Sequence, residues 1–191
     1  MTPLSFRLDG LRALVTGGGS GIGKVIADAM RDAGATVVVC DVNDSTKPNY
    51  ICDVSKTSDV EAMFKGIERD LGGLDILVNN AGILRDKSFG KMALADFKLV
   101  MDVHVMGAFH CTQAVWPIMQ AQNYGRIVMT TSSSGLYGNF GQANYGAAKM
   151  ALAGLMQTLS IEGEKHHIRV NCLAPTAATR MTEGLMPEQV L

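Results

Sequence analysis

Three observations predict an α/β domain built as a doubly wound parallel sheet. Short β-branched runs alternate with longer helical patterns from end to end. Several short runs, among them Val37-Val38-Val39 and Ile76-Leu77-Val78, are apolar at successive positions, as strands covered on both faces require. A glycine-rich turn, Gly17 to Gly23, lies between the first strand pattern and the first helical pattern.

The predicted strands are 12–16, 36–40, 50–52, 74–78, 126–130 and 169–174. The first helix, 21–33, carries Ile22, Val25, Ile26, Ala29 and Met30 at helical spacing, and Gly34 stops it. Further helices are expected over 60–71, 94–122 and 143–163, with Pro117 kinking or shortening the longest. Residues 42–49 include Pro48 and are too few for a crossover helix, so a loop or single turn is expected there. No repeat or linker divides the chain, and the 191 residues read as one domain.

Composition narrows the function. Apolar residues make up 47% and charged residues 18%, which suits a packed core rather than disorder. A net charge of −1 lacks the basic surplus of a phosphate-tracking protein, so no nucleic acid is expected as a partner. No apolar stretch approaches membrane-spanning length, so no membrane partner is expected, and a cytoplasmic protein is anticipated. Cys40, Cys52, Cys111 and Cys172 lie far apart without a metal-ligand spacing, which fits a reducing compartment and no metal site. The twelve methionines read as core filler, Trp116 as packing, and His166-His167 as a solvated helix end.

Chemistry gathers at four places. Gly17, Ser20, Gly21, Ile22 and Gly23 form a turn at a helix N-terminus, where backbone N–H groups can face a pyrophosphate. Asp41 ends the second strand, where its carboxylate can accept from an adenosine ribose and repel a 2′-phosphate. That favours NAD over NADP; a solvated Asp41 capping the next turn is the alternative, and Lys24 or Lys47 could offset its charge. Tyr145 and Lys149 stand four apart on one helix face, so a nearby ammonium is expected to lower the phenol pKa toward proton exchange at neutral pH. Ser132 follows the fifth strand at the sheet edge where open α/β sheets bind ligands.

These residues, with Asp53-Val54 and Asn79-Asn80-Ala81-Gly82, resemble the short-chain dehydrogenase/reductase family over nearly the whole chain. The resemblance implies a Rossmann-type fold and an NAD(P)-linked exchange between a secondary alcohol and a ketone. It implies Tyr145 as acid/base, Lys149 as its helper and ribose holder, and Ser132 as the group orienting the substrate. It also implies cofactor contacts at Asp53, Val54, Asn80, Ala81 and Gly82. The second half is similar to the branch forming the (3R)-hydroxyacyl-CoA dehydrogenase domain of peroxisomal multifunctional enzyme type 2. Its markers are 82–89, 103–107, 135–145, and Ala174-Pro175 with Arg180-Met181-Thr182. That likeness implies a small-molecule substrate of acyl-CoA type and a homodimer or homotetramer. His104 stands where most of the family has Asn, as it does in this branch; it either serves the proton relay or is a hydrogen-bonded core histidine.

The short 42–49 connection departs from that branch, and Thr176 follows Pro175 where most of the family has Gly. Measured against the family, 1–191 reads as a C-terminally incomplete domain lacking a final helix and strand, with 169–174 as an exposed edge. The chain does not end in Ser-Lys-Leu, so a peroxisomal location would rest on resemblance alone. The alternatives are a 3-oxoacyl carrier-protein or other small-ketone reductase, and an inactive nucleotide-binding module.

Overall fold

All six expected strands form: β1 (Arg12–Thr16), β2 (Thr36–Asp41), β3 (Tyr50–Ile51), β4 (Ile76–Asn79), β5 (Gly125–Thr130) and β6 (Ile168–Leu173). The structure, a computed structural model, describes residues 6–175. The strands make one sheet in the order β3-β2-β1-β4-β5-β6, parallel throughout. The order reverses between β1 and β4, and a crevice opens at that switch point beyond the strands' C-terminal ends.

Among the described residues six α-helices form: α1 (Gly21–Asp32), α2 (Thr57–Leu71), α3 (Leu94–Met101), α4 (Gly107–Gln122), α5 (Ser133–Tyr137) and α6 (Ala143–Gly163). Strand residues alternate between the faces, so the apolar runs fill two cores. Leu14, Val38, Cys40, Leu77, Ile127 and Met129 pack under Phe64 and Ile67 of α2, Cys111 and Val115 of α4, and Leu152 of α6. Ala13, Val15, Val37, Val39, Ile76 and Val78 face the other way, against Ala27, Ile26 and Met30 of α1. The helices are therefore unevenly shared among the described residues, with α1 covering the second face.

Residues 42–49 form a single 3-10 turn, Asp44–Thr46, as their number demanded. Because β3 is only two residues long, the side chain of Asn49 completes the ladder, accepting the Val39 N–H at 2.9 Å. The long helix expected over 94–122 is broken earlier than Pro117, by a π turn at Asp102–Met106. Pro117 lies inside α4 and does not shorten it. The bond it forfeits would reach the carbonyl of Gln113, an exposed position where water can serve.

A polar knot closes the far end of the sheet. The Arg12 N–H and Nε each donate to Asp75 Oδ2 at 2.8 Å, and its Nη2 donates to Asp75 Oδ1 and to Gln122 Oε1, both at 2.8 Å. Gln122 also donates to the Leu74 carbonyl at 2.9 Å and accepts the Leu74 N–H at 3.2 Å. Leu74 is thus bound to a side chain, and β4 begins two residues later than the apolar pattern suggests.

Asp75→Ala should cost on the order of 2 kcal/mol at pH 7, between the values for exposed and buried pairs. The hydrogen bonds from Arg12 hold the Asp75 carboxyl below the usual carboxylate range. A lowered folded-state value stabilises above the unfolded value, and that contribution is lost as pH falls through the folded one. In urea melts, the gap between parent and variant should therefore narrow below about pH 4. A gap independent of pH would remove Asp75 from this role.

Candidate active site

The glycine turn leaves β1 at Thr16 with Gly17 at φ +62° and enters α1 at Gly21 with φ +55°. A Cβ on Gly23 would strike the Gly17 carbonyl oxygen, so only glycine lets α1 lie this close to the turn. The place a Cβ on Gly21 would occupy is open. Thr16 fixes the turn from below: its Oγ1 accepts the N–H groups of Asn80 and Ala81, each at 3.0 Å. Asn80 Nδ2 donates in return to the carbonyls of Thr16 at 3.0 Å and Gly17 at 3.3 Å.

A cleft of about 1060 Å³ spreads from this turn along the C-terminal ends of the strands. Gly17, Ser20, Gly21, Ile22 and Gly23 line one end; Asp41, Asp53 and Val54 line its side. Asn80, Ala81, Gly82, His104, Ser132, Tyr145 and Lys149 line the remainder, so every anticipated site residue meets in one place. Their partners differ from the expectations in places. Asp41 Oδ2 accepts the Gly19 N–H and Oδ1 the Asn43 N–H, both at 3.1 Å, so it caps its own turn while facing the cleft. Asp53 Oδ1 is bound by the N–H and hydroxyl of Ser55, at 3.1 and 2.7 Å. The amide nitrogen of Asn80 is committed to the glycine turn, as above. Lys24 pairs with Asp28 at 2.5 Å.

The other end of the cleft holds the titratable groups. Lys149 is 3% exposed, and its Nζ donates to the Thr130 carbonyl at 2.6 Å. Burial brings this lysine down to about 8. Tyr145, one turn earlier on α6, is half-buried, with Lys149 Nζ 5.4 Å from its ring centre. The expected lowering of the phenol pKa is not found. Burial raises it, Ser132 opposes, and the charge of Asp86 raises it further. Lys149 is turned to Thr130 and does not offset that burial. Ser132 caps α5, its Oγ accepting the Ser134 N–H at 3.2 Å.

His104 sits on the π turn, whose wider pitch delivers its ring to the cleft floor. A Cβ on Gly82 would collide with that ring. The ring stands edge-on to Tyr145, with centres 5.3 Å apart. Its Nε2 lies 2.9 Å from the Ile83 carbonyl and 3.0 Å from the Ile83 N–H, bonding one or the other according to tautomer. Burial, with help from the Lys149 charge, drives His104 down to about 3. It is a neutral, hydrogen-bonded core histidine that also borders the cleft.

Several contributors were not anticipated. The Thr130 carbonyl is a backbone group with no sequence signature. Asp86, Gln142 and Asn144 join the loop after β4 to the start of α6 over nearly sixty residues, a separation no spacing rule reads. Tyr137 and Phe140, by contrast, follow the fifth strand closely enough in sequence to be expected near substrate; Tyr137 lines the cleft while 86% exposed, and Phe140, 90% exposed, is not part of the lining. Thr176 and the 180–182 motif lie outside the described residues, while Pro175 borders the cleft.

The chain is similar to known proteins. Peroxisomal multifunctional enzyme type 2 of Drosophila melanogaster is 44% identical over 202 residues, spanning 95% of this chain. The likeness therefore takes in both halves, while the match spans about a third, 34%, of that enzyme's own length. The 3-oxoacyl-[acyl-carrier-protein] reductase of Synechocystis sp. is 38% identical, over 94% of this chain and 79% of its own. A gluconate 5-dehydrogenase from Burkholderia cenocepacia, solved with NADP and tartrate, superposes with a TM-score of 0.89 at 32% identity, covering 95% of this chain and 77% of that one. Residues 12–189 match the family model described as short chain dehydrogenase, a span that contains the whole sheet and cleft, and the chain belongs to that family.

Proposed function

We propose that the chain is an NAD-dependent oxidoreductase that interconverts a secondary alcohol and a ketone, with a 3-hydroxyacyl thioester as its substrate. The observation that carries this is the convergence of Ser132, Tyr145 and Lys149 on the cleft that the glycine turn opens. The residues present fit a dinucleotide. Gly17 and Gly23 bring the N-terminus of α1 close to the turn, and the space above Gly21 is open. Gly17, Ser20, Gly21, Ile22 and Gly23 would hold the pyrophosphate, and Asp41 the adenosine ribose. Asp53 and Val54 would border the adenine, with Asn80, Ala81, Gly82, Tyr145 and Lys149 at the nicotinamide ribose. When bound, NAD supplies the carbon that accepts or returns the hydride.

The chain's own residues supply the proton chemistry. In oxidation, Tyr145 Oη takes the hydroxyl proton of the substrate; in reduction it returns one to the carbonyl oxygen. A phenol raised by burial favours the proton-donating form. Ser132 Oγ, beside that phenol, hydrogen-bonds the reacting oxygen and fixes its distance from Tyr145. Lys149, anchored on the Thr130 carbonyl, holds a donor against the ribose hydroxyls. His104, neutral at any physiological pH, serves as a wall for the Tyr145 ring and not as an acid.

The thioester assignment is supported by the likeness to the multifunctional enzyme. A second reading, reduction of a 3-oxoacyl carrier-protein thioester, is supported by the Synechocystis relative, which this chain matches over more of its length. The four free cysteines, three of them buried, suit the reducing cytoplasm in which we place the protein. Among the described residues β6 is an outer strand, with Arg169, Asn171 and Leu173 exposed, and this supports assembly as a homodimer or homotetramer.

Tyr145→Phe should preserve folding and NAD affinity while lowering turnover at least about 100-fold, since the proton-transfer group alone is removed. Turnover within twofold of the parent excludes Tyr145 from the chemistry. For the cofactor, Asp41→Ala should shift the ratio of NAD to NADP affinity toward NADP by roughly tenfold or more. Titration of both nucleotides by fluorescence reads this directly. A parent that binds NADP more tightly than NAD contradicts the role given to Asp41.

A further inference from the structure

Three polar links fasten the loop after β4 to the chain that starts α6. The Asn144 side chain donates to the Arg85 carbonyl at 3.0 Å, and the Lys87 N–H donates to the Gly141 carbonyl at 2.9 Å. Between them, Gln142 Nε2 donates to Asp86 Oδ2 at 2.7 Å, while Gln142 Oε1 accepts from Asn139 at 3.1 Å. Gln142 is the residue before α6, and its carbonyl receives the Gly146 N–H at 2.7 Å. Of the three links, the one through Gln142 is the only one that reaches a side-chain carboxylate, and it meets the helix directly before the turn that bears Tyr145. The second oxygen of that carboxylate, Oδ1, is buried and has no hydrogen-bond partner among the described residues.

We propose that Asp86 is a positioning residue for Tyr145: through Gln142 it fixes the first turn of α6, which bears the phenol. This rests on Tyr145 acting as the acid/base, as proposed above. The groups facing the phenol can be named. His104, on the π turn, is neutral, and Ser132, before α5, does not titrate. Lys149, on α6 itself, is bound to the Thr130 carbonyl, with its Nζ 5.4 Å from the Tyr145 ring centre. Asp86 is the carboxylate that acts on Tyr145, in the same direction as burial. Arg85 leans instead toward Asp96, 4.0 Å away.

The charge and the tether can be separated. Asp86→Asn keeps an acceptor for Gln142 and removes the charge. Gln142→Met keeps the charge and removes the tether. In Asp86→Asn, the pH at which alcohol oxidation rises should move down, since the Asp86 charge acts with burial to raise the phenol. Phenol ionisation, followed by ultraviolet absorbance as the difference between each protein and its Tyr145→Phe form, should move the same way without need of substrate. Gln142→Met should leave KM within twofold and lower kcat by roughly tenfold, as misplacement of a reacting group does. A Gln142→Met enzyme whose kcat and KM both match those of the parent, with Tyr145→Phe inactive, overturns this inference and leaves the acid/base assignment standing. An active Tyr145→Phe overturns both.

Discussion

The cleft depends on a single hydroxyl. Thr16, at the end of β1 and 2% exposed, accepts two backbone N–H groups from the chain leaving β4, and its own Oγ1 lies 3.4 Å from the Val78 carbonyl. β1 and β4 are the strands between which the sheet reverses its order, and their connections leave in opposite directions. Without a fastening at that point, the glycine turn and the segment from Asn80 to Gly82 would be separate loops. With it they form one rim, and the reach of Asn80 back to the Thr16 and Gly17 carbonyls satisfies backbone groups that a nucleotide would otherwise leave unpaired.

Electrostatics at the other end of the cleft obey one rule: burial works against charge. It raises Tyr145, brings Lys149 to about 8 and takes His104 to about 3. Each shift favours the uncharged form, so the groups around the reacting position approach neutrality together. The partner of the buried lysine is a carbonyl rather than an anion. Burial also strengthens whatever dipoles are aimed into the site.

Much of this was readable in the order of residues. The strands were legible because each apolar run fills two cores at once, as Val37-Val38-Val39 does with its outer members on one face and its central one on the other. The shared face of Tyr145 and Lys149 follows from helical pitch alone. The sign of their coupling does not, because spacing reveals nothing of how deeply the phenol is buried or where the ammonium points. The π turn at Asp102–Met106 was hidden for a similar reason: it adds one residue to a helix without altering its composition. Asp86 and Gln142 meet only because the fold brings distant loops together.

The two margins of the sheet are unlike. At one, β3 offers two residues, and Asn49 has already taken the neighbouring Val39 N–H. At the other, among the described residues, β6 presents six. With two residues and one neighbouring N–H already taken, the β3 margin gives a further strand little to pair with, so the brief 42–49 connection leaves that side of the sheet a poor template for strand addition.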